Sequence, residues 1–395
     1  MTASTHADTL LGDQVTSHAT HLARSGPIPW RGGPGRLVTD LETAGLTGRG
    51  GAGFPAWRKA ATALNGKSPV VVANGAEGEP LSRKDATLLR GNPHVVLDGL
   101  QLVAEAVAAT QAYLYLPAAL AGGAATALAE RRDRVPVKIV HAPEKFVAGE
   151  ESAAIAAIEG RPVLPRFRTT PAPVSGVDGR PTVLHNVETL AHVAMIARHG
   201  PAWFRRTGTA DEPGTFLATV SGSVAAPGVY EVPVGIPLDE LLAMAGPGPT
   251  HAVLVGGYHG VWVPYGATPM SRAGLAPHGG SPGAGIVHAL PANRCPLRFA
   301  AETTRYLAEE TAGQCGPCLN GLPAIAATMA ALAAGRAEHR RLEWLTGLVV
   351  GRGACHHPDG TARFVRSTLT TFATEVAAHQ QGHCPIEENR RNAAS

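Results

Sequence analysis

The chain has 395 residues, 44% of them hydrophobic and 16% charged, with a formal net charge of +3. That charge is too small to argue for nucleic-acid binding, and the length exceeds what one hydrophobic core usually holds, so several domains are expected. Its 47 glycines and 32 prolines are dispersed, which points to a loop-rich globular protein rather than a low-complexity chain.

The N-terminal stretch MTASTHADTLLGDQVTSHAT lacks the basic start and apolar core of a signal peptide, and residues 1–35 read as a polar, then Pro- and Gly-rich arm with no visible chemistry. Leu37, Val38, Leu41 and Ala44 then recur at helical spacing, with Gly45 as the stop. Directly after comes Gly48-Arg49-Gly50-Gly51-Ala52-Gly53-Phe54-Pro55, followed by Arg58 and Lys59. So dense a run of glycines lets a phosphate approach the backbone closely, and the basic side chains supply charge, so the stretch reads as an anion cradle. Pro55 suits the first turn of a helix reaching Leu64, whose N–H groups would point back at the anion. Gly48, Gly50 and Gly53 also satisfy the dinucleotide fingerprint, but that motif needs a strand immediately before it. The helix predicted there disfavours an ordinary Rossmann site and leaves a ligand-free glycine turn as the alternative.

Pro69 to Ala73 is a short buried-strand pattern that ends at Asn74-Gly75-Ala76-Glu77-Gly78-Glu79-Pro80. Ligands bind at the carboxyl ends of strands in open α/β sheets, which makes Asn74, Glu77 and Glu79 site candidates against the alternative of a solvated acidic turn. Helical periodicity over Pro93 to Ala108, a strand at Ala112 to Leu116, a helix from Ala118 to Arg132 and a strand at Val137 to Val140 complete an α/β sandwich with a largely parallel sheet. Gly149, Glu150 and Glu151 then open a helix to about Ile158, and two carboxylates there are favoured by the helix dipole alone. Past an extended, proline-punctuated segment, Leu184-His185-Asn186-Val187-Glu188-Thr189 leads into a helix ending near Arg198. Asn186 could cap it, or Asn186 and His185 could contact a ligand.

A boundary falls near Gly208 to Gly214, and beyond it strands at Phe216–Gly222, Val229–Val232 and Ala252–Gly257 with a helix at Pro237–Ala245 form a small α+β module of β-grasp type. From about Pro296 to Gln381 the chain reads as helical throughout, with Pro323 to Ala334 and an amphipathic Phe364 to Ala378 suggesting a bundle. The apolar region Val95 to Leu128 carries Asp98, Gln101, Glu105 and Gln111 and is broken by Pro117 and Gly122-Gly123, so direct membrane insertion is not expected. The five cysteines cluster late in the chain with no secretory signal, which argues for the cytoplasm and for metal or redox chemistry. Cys315-Gly316-Pro317-Cys318 with the distant Cys355 is an iron–sulfur or zinc pattern, with a redox disulfide or buried thiols as rivals; His356 and His357 keep zinc open.

Taken in order, GRGGAGFP, NGAEGEP with Lys-Asp following, GEES, HNVET, a β-grasp insert and a C-x-x-C helical bundle resemble the flavin-bearing, NADH-oxidising subunit of the NADH dehydrogenase module of respiratory complex I. The same resemblance extends to relatives in NAD-linked hydrogenases and formate dehydrogenases, and it runs from about Gly45 to Cys384. It implies an FMN-binding α/β domain over 36–210, a β-grasp (SLBB-like) domain over 213–268, a helical bundle with the cysteine site over 285–385 and a tail over 386–395. FMN would be held by Gly48, Arg49, Gly50, Gly51, Ala52, Gly53, Phe54 and Lys59, with Asn74, Glu77, Gly149, Glu150, His185, Asn186 and Thr189 around the flavin and nicotinamide, and Glu79 and Glu151 as the catalytic carboxylates. Cys315, Cys318 and Cys355 would hold an iron–sulfur cluster, and the electron acceptor would be a ferredoxin-like or other electron-transfer subunit, docked if at all to a membrane complex.

The chain also departs from that pattern. The first cluster cysteine is replaced by Ala312, leaving three thiolates; a three-iron cluster, a fourth ligand from His356, a rescue by Cys295 or no cluster are the options, and Cys384 reads as a structural or free thiol. The aromatic pair that sandwiches the adenine is replaced by Thr62 and Pro171, a pyrophosphate-side lysine by Arg168, an aspartate near the flavin by Ala76, and a tyrosine by Phe146. These departures favour two alternatives to NADH oxidation: an FMN subunit serving another donor, and a non-enzymatic binding or assembly subunit.

Overall fold

The computed structural model describes residues 9–167, 170–386 and 388, so Arg168 and most of the tail lie outside the described residues. The chain divides into two compact units, Met1–Ala218 with Val229–Gly235, and Thr219–Gly228 with Ile236–Ser395.

The first unit opens with α1 (His18–Ser25), α2 (Arg36–Ala44) and α3 (Ala56–Ala63), and Gly45 closes α2 in the left-handed conformation, φ 72°. Its sheet is built from β1 (Val70–Asn74), β2 (Gln111–Pro117), β3 (Val137–Ala142) and β4 (Thr182–Asn186), joined through α4 (Lys84–Gly91), α5 (Pro93–Ala106), α6 (Ala118–Ala129) and α7 (Glu151–Ile158). The order is β3-β2-β1-β4 and every pairing is parallel. A central parallel strand is covered on both faces, and accordingly all five residues of β1 are buried. Val71 and Ala73 face a cluster with Leu114, Val183 and Leu190, whereas Val70 and Val72 face one with Tyr115, Ile155 and Leu184. Behind the first face, α8 (Val187–His199) packs closely on α5: a Cβ on Gly99 would meet the Leu190 carbonyl oxygen at 1.9 Å, so only glycine permits this approach. The short α9 (Pro201–Phe204), the start of β5 (Thr215–Gly222) and β6 (Gly228–Pro233) complete this unit.

In the second unit the end of β5 pairs parallel with β9 (Ile286–Pro291), which pairs antiparallel with β7 (Thr250–Val255), itself antiparallel to β8 (Val261–Val263). The central strand β9 thus comes from well beyond the contiguous run of strands visible in the sequence. Helices α10 (Leu238–Met244) and α11 (Arg272–Leu275) flank this sheet in the chain, and α12 (Pro296–Glu309), α13 (Leu322–Ala333), α14 (His339–Val349), α15 (His357–Thr371) and α16 (Ala373–Gln380) follow it. The buried Trp262 on β8 joins sheet and helices, its indole N–H donating to Thr368 Oγ1 at 3.0 Å.

The structure corrects several sequence expectations. α1 lies within the expected loosely held arm, with His21 buried against Asp98 at 2.7 Å, and the sequence pattern marks neither α4 nor β4 as an element. Pro55 precedes the first helical residue instead of occupying it. The amphipathic run Phe364 to Ala378 is two helices, broken at Phe372, whose ψ of 37° leaves the helical region. Among the described residues, no helix is long and apolar enough to cross a membrane.

Candidate functional site

The chain runs outward from β1 to β2 to β3 and then returns to β4 on the other side of β1, so the order reverses between β1 and β4. Crevices at such a reversal, outside the carboxyl ends, are where open α/β sheets bind ligands. Asn74 and Asn186 end the two strands in register with each other. Asn186 caps α8 by accepting from the Glu188 N–H (3.0 Å), and its amide donates to Asp85 Oδ2 (2.6 Å) and the Asn74 carbonyl (3.3 Å). Asn74 donates to the Gly149 carbonyl at 2.9 Å and accepts from the Ala76 N–H at 3.1 Å.

The glycine loop is pinched at its base by a Thr47–Pro55 bridge and by the Gly48 N–H donating to the Phe54 carbonyl (2.9 Å). Gly51 and Gly53 adopt φ of 107° and 61°, conformations that side-chain-bearing residues avoid. At Gly50 the loop lies against Asn186, whose Cβ would sit 3.3 Å from an added Cβ. The Arg49 N–H donates to Thr189 Oγ1 (2.9 Å), and its buried guanidinium donates to Thr47 Oγ1 (2.9 Å) and to the Thr215 (3.1 Å) and Pro213 (3.2 Å) carbonyls. Arg49 and Thr189 therefore anchor the loop to α8. At the start of α3 the Ala56 N–H donates to the Leu46 carbonyl and that of Arg58 to the Pro55 carbonyl, so this helix end offers fewer donors to an anion than the sequence suggests.

Around this crevice Lys59 Nζ lies 2.6 Å from Glu151 Oε2 and 3.0 Å from the Leu184 carbonyl. Glu150 caps α7, accepting from the N–H groups of Ser152 (2.8 Å) and Ala153 (3.1 Å). Glu77 accepts from the Ser82 hydroxyl and from the Ala86 N–H at 3.0 Å, and Glu79 accepts the Leu81 N–H at 3.4 Å. Phe54 stands half exposed. His185 is buried, and among the described residues its Nε2 has no hydrogen-bond partner. Burial first, and then the charge of Lys59, push its pKa down to about 3, so it is neutral.

Lys84 and Asp85 escaped assignment from the sequence, although the Lys-Asp pair after NGAEGEP was visible. Lys84 is buried, with Nζ 2.6 Å from Asp85 Oδ1, 2.9 Å from Glu188 Oε2 and 3.1 Å from Asn186 Oδ1. Glu188 also accepts the Leu217 N–H at 2.8 Å. Burial opposes the Lys84 charge, but Asp85, Glu188 and Glu77 outweigh it and raise its pKa.

The residues fit a flavin mononucleotide. Gly78 and Gly149 let the loop after β1 meet the turn Phe146–Gly149 backbone to backbone: a Cβ on Gly78 would lie 2.0 Å from the Phe146 carbonyl oxygen, and one on Gly149 2.8 Å from that of Ala76. Glycine loop, crevice and the partnerless His185 Nε2 lie in the first unit, along the carboxyl edge of β1 and β4. Thr62 and Pro171, the two positions that the resemblance sets at the adenine, are exposed, and the Thr62 hydroxyl is turned to the Arg58 carbonyl at 2.8 Å.

In the second unit the π-helical turn Pro317–Gly321 carries Cys318, whose sulfur lies 3.6 Å from that of Cys315. Burial first, then Cys315 and after it Cys355, push the Cys318 thiol up to about 11. This set fits three of the four thiolates an iron–sulfur cluster usually takes. His356 is fully exposed, with Nδ1 3.4 Å from Asp359 Oδ2, and Cys295 sits instead against His379.

Comparison with known proteins agrees with this geometry. Residues 41–195 match the family model of the Nuo51 FMN-binding domain, 217–253 the SLBB domain, and 298–379 the NADH-ubiquinone oxidoreductase-F iron–sulfur binding region. An F subunit of the NADH-quinone oxidoreductase of Rhizobium meliloti (strain 1021) is 32% identical over 387 residues, covering 89% of this chain and 91% of that protein. The F subunit of the Streptomyces coelicolor enzyme is 31% identical over 394 residues, covering 91% and 86%. The crystal structure of an air-oxidized NAD+-reducing [NiFe]-hydrogenase superposes with a TM-score of 0.82 at 32% identity, over 93% of this chain and 68% of that one. The chain belongs to the family of NADH-quinone oxidoreductase F subunits.

Proposed function

We propose that this chain is an FMN-dependent electron-transfer oxidoreductase subunit that oxidises NADH and passes electrons singly to an iron–sulfur cluster and a ferredoxin-like partner subunit in the cytoplasm. The observation that carries the reading is the seating of the glycine loop on the carboxyl ends of β1 and β4, with Gly50 against Asn186. Bound FMN would supply hydride acceptance and one-electron release, which no side chain provides. Gly48 to Phe54 and Lys59 would hold its phosphate side. Asn74, Glu77, Gly149, Glu150, His185, Asn186 and Thr189 would shape the flavin side, and Glu79 and Glu151 would face the nicotinamide. Cys315, Cys318 and Cys355 would ligate the cluster. The corresponding domains are an FMN-binding domain over 36–210, a β-grasp domain over 213–268 and the helical bundle over 285–385.

The test is anaerobic: FMN-reconstituted protein is mixed with NADH and the flavin absorption band is followed. Bleaching is expected. Absence of bleaching in protein that dithionite does reduce would refute NADH as donor. It would favour the second reading, an FMN subunit serving another donor, for which the exposed Thr62 and Pro171 in place of an aromatic pair speak.

A further inference from the structure

Away from the Cys315–Cys318 pair, two cysteines and a histidine that lie far apart in the sequence converge on one point. Cys295 stands at the N-cap of α12, His379 lies in the last turn of α16, and Cys384 follows that helix. The chain brings Cys384 back by a tight reversal: the Gly382 N–H donates to the His379 carbonyl (3.0 Å) and the His383 N–H to the Ala378 carbonyl (3.2 Å), with Gly382 at φ 86°. All three side chains are buried, and their ligand atoms lie within 4.8 Å of one another.

The histidine is oriented for coordination. Its Nδ1 lies 2.9 Å from the Ala333 carbonyl, which only accepts, so Nδ1 carries a proton and Nε2 is the nitrogen left to bind a metal through its lone pair. Nε2 faces Cys295 Sγ at 3.4 Å. An imidazole that donates one N–H to a backbone carbonyl and turns the other nitrogen to thiolates is the usual arrangement of a metal-bound histidine. The spacing agrees as well. Tetrahedral zinc, with bonds of about 2.3 Å to sulfur and about 2.0–2.1 Å to nitrogen, holds S and N ligands roughly 3.5 Å apart. A group this tight has room for one ion, whereas the corners of a cubane cluster set their ligands farther apart. A cavity of about 170 Å³ borders His379 and Cys384 and is lined also by His383 and Glu388. Water can complete four-coordination from it.

We propose that Cys295, His379 and Cys384 bind one zinc(II) ion, a site separate from Cys315, Cys318 and Cys355. Binding replaces the two S–H protons, which pass to solvent, and forms two Zn–S bonds and one Zn–N bond with no change of oxidation state. The ion ties the start of α12 to the end of α16 and to the chain beyond it, so its role is structural.

Cobalt(II) reports the site directly, because thiolate coordination gives it intense near-ultraviolet and visible bands. The full-length protein with FMN bound is stripped with a chelator and titrated with cobalt(II), then with zinc(II). One equivalent of thiolate-bound cobalt, displaced by zinc, is expected in the Cys315→Ser/Cys318→Ser/Cys355→Ser triple variant. Cys384→Ser or His379→Gln in that background should abolish the bands. Should the triple variant fail to fold, the same two substitutions in the otherwise unaltered chain must each remove one equivalent of zinc by elemental analysis, with the flavin band retained as the check on folding. The proposal is overturned if cobalt bands survive in Cys384→Ser at full strength, if no metal binds, if iron and acid-labile sulfide occupy these residues, or if mass spectrometry of protein purified without reductant finds Cys295 and Cys384 joined as a disulfide.

Discussion

Lys84 and Glu188 form a buried ion pair, Nζ to Oε2 2.9 Å, that ties α4 to the first turn of α8 directly behind the glycine loop. Asp85 and Asn186 complete the set around the ammonium. Removing one partner of such a group leaves the remaining buried charges uncompensated, at a cost of about 3–5 kcal/mol. Lys84→Met should therefore lower the denaturation midpoint markedly, while Lys84→Met with Glu188→Gln should recover part of the loss. Urea unfolding followed by circular dichroism measures both. Equal stability of Lys84→Met and the unaltered chain would mean the network carries no net weight.

Gly78 is constrained by contact rather than by φ. Since an added Cβ would stand 2.0 Å from the Phe146 carbonyl oxygen, Gly78→Ala must push the loop after β1 away from the turn at Phe146–Gly149. Overpacking of this kind costs about 1–3 kcal/mol. Because Glu77 and Glu79 sit on the displaced loop, flavin retention through gel filtration should fall more than overall stability. Gly122→Ala, inside α6 where an added Cβ meets open space, serves as the control; it should hold or raise stability, because alanine is the better helix former, and leave flavin retention unchanged.

Much of the sheet was legible because β1 is an apolar run bounded by Pro69 and by Asn74-Gly75, so its local pattern and its tertiary role agree. β4 was not: Thr182–Asn186 follows Pro181 and ends in His-Asn, and its strand conformation comes from the parallel ladder to β1, a pairing across more than a hundred residues. The burial of Lys84 and Asp85 is illegible for the same reason, since Glu188 and Asn186, which complete the set around the ammonium, sit about a hundred residues away. The glycine loop was readable by composition, yet the sequence could not show that Arg49 turns its guanidinium to backbone carbonyls at Pro213 and Thr215. Cys295 and Cys384, read separately as a spare cluster ligand and a structural or free thiol, acquire a common partner only when α16 places His379 between them.

His185 makes the stability of the first unit pH-dependent. Its pKa is depressed to about 3 in the folded chain against 6.5 when exposed, so the unfolded chain binds more protons between those values. The contribution is fully present above 6.5 and is lost as pH falls through that window, at about 1.4 kcal/mol per pH unit. His185→Leu cannot take up that proton. The stability difference between the unaltered chain and His185→Leu, from urea midpoints at successive pH values, should be flat above neutrality and shift in favour of the variant as the solution is acidified. A difference independent of pH would show that His185 is not held neutral by burial.

The altered adenine platform invites a gain-of-function test. Thr62 and Pro171 are both exposed, so larger side chains enter without repacking a core. Base stacking on an aromatic ring is worth about 1–3 kcal/mol. If NADH is the donor and its adenine lies against these positions, Thr62→Phe with Pro171→Tyr should lower KM for NADH by about 5- to 150-fold per stacked ring with kcat little changed, because the interaction is uniform between ground and transition state. Reduction of the bound flavin by dithionite should be unaffected, which separates a binding effect from damage to the flavin site. An unchanged KM in a variant that retains its flavin would place the adenine elsewhere.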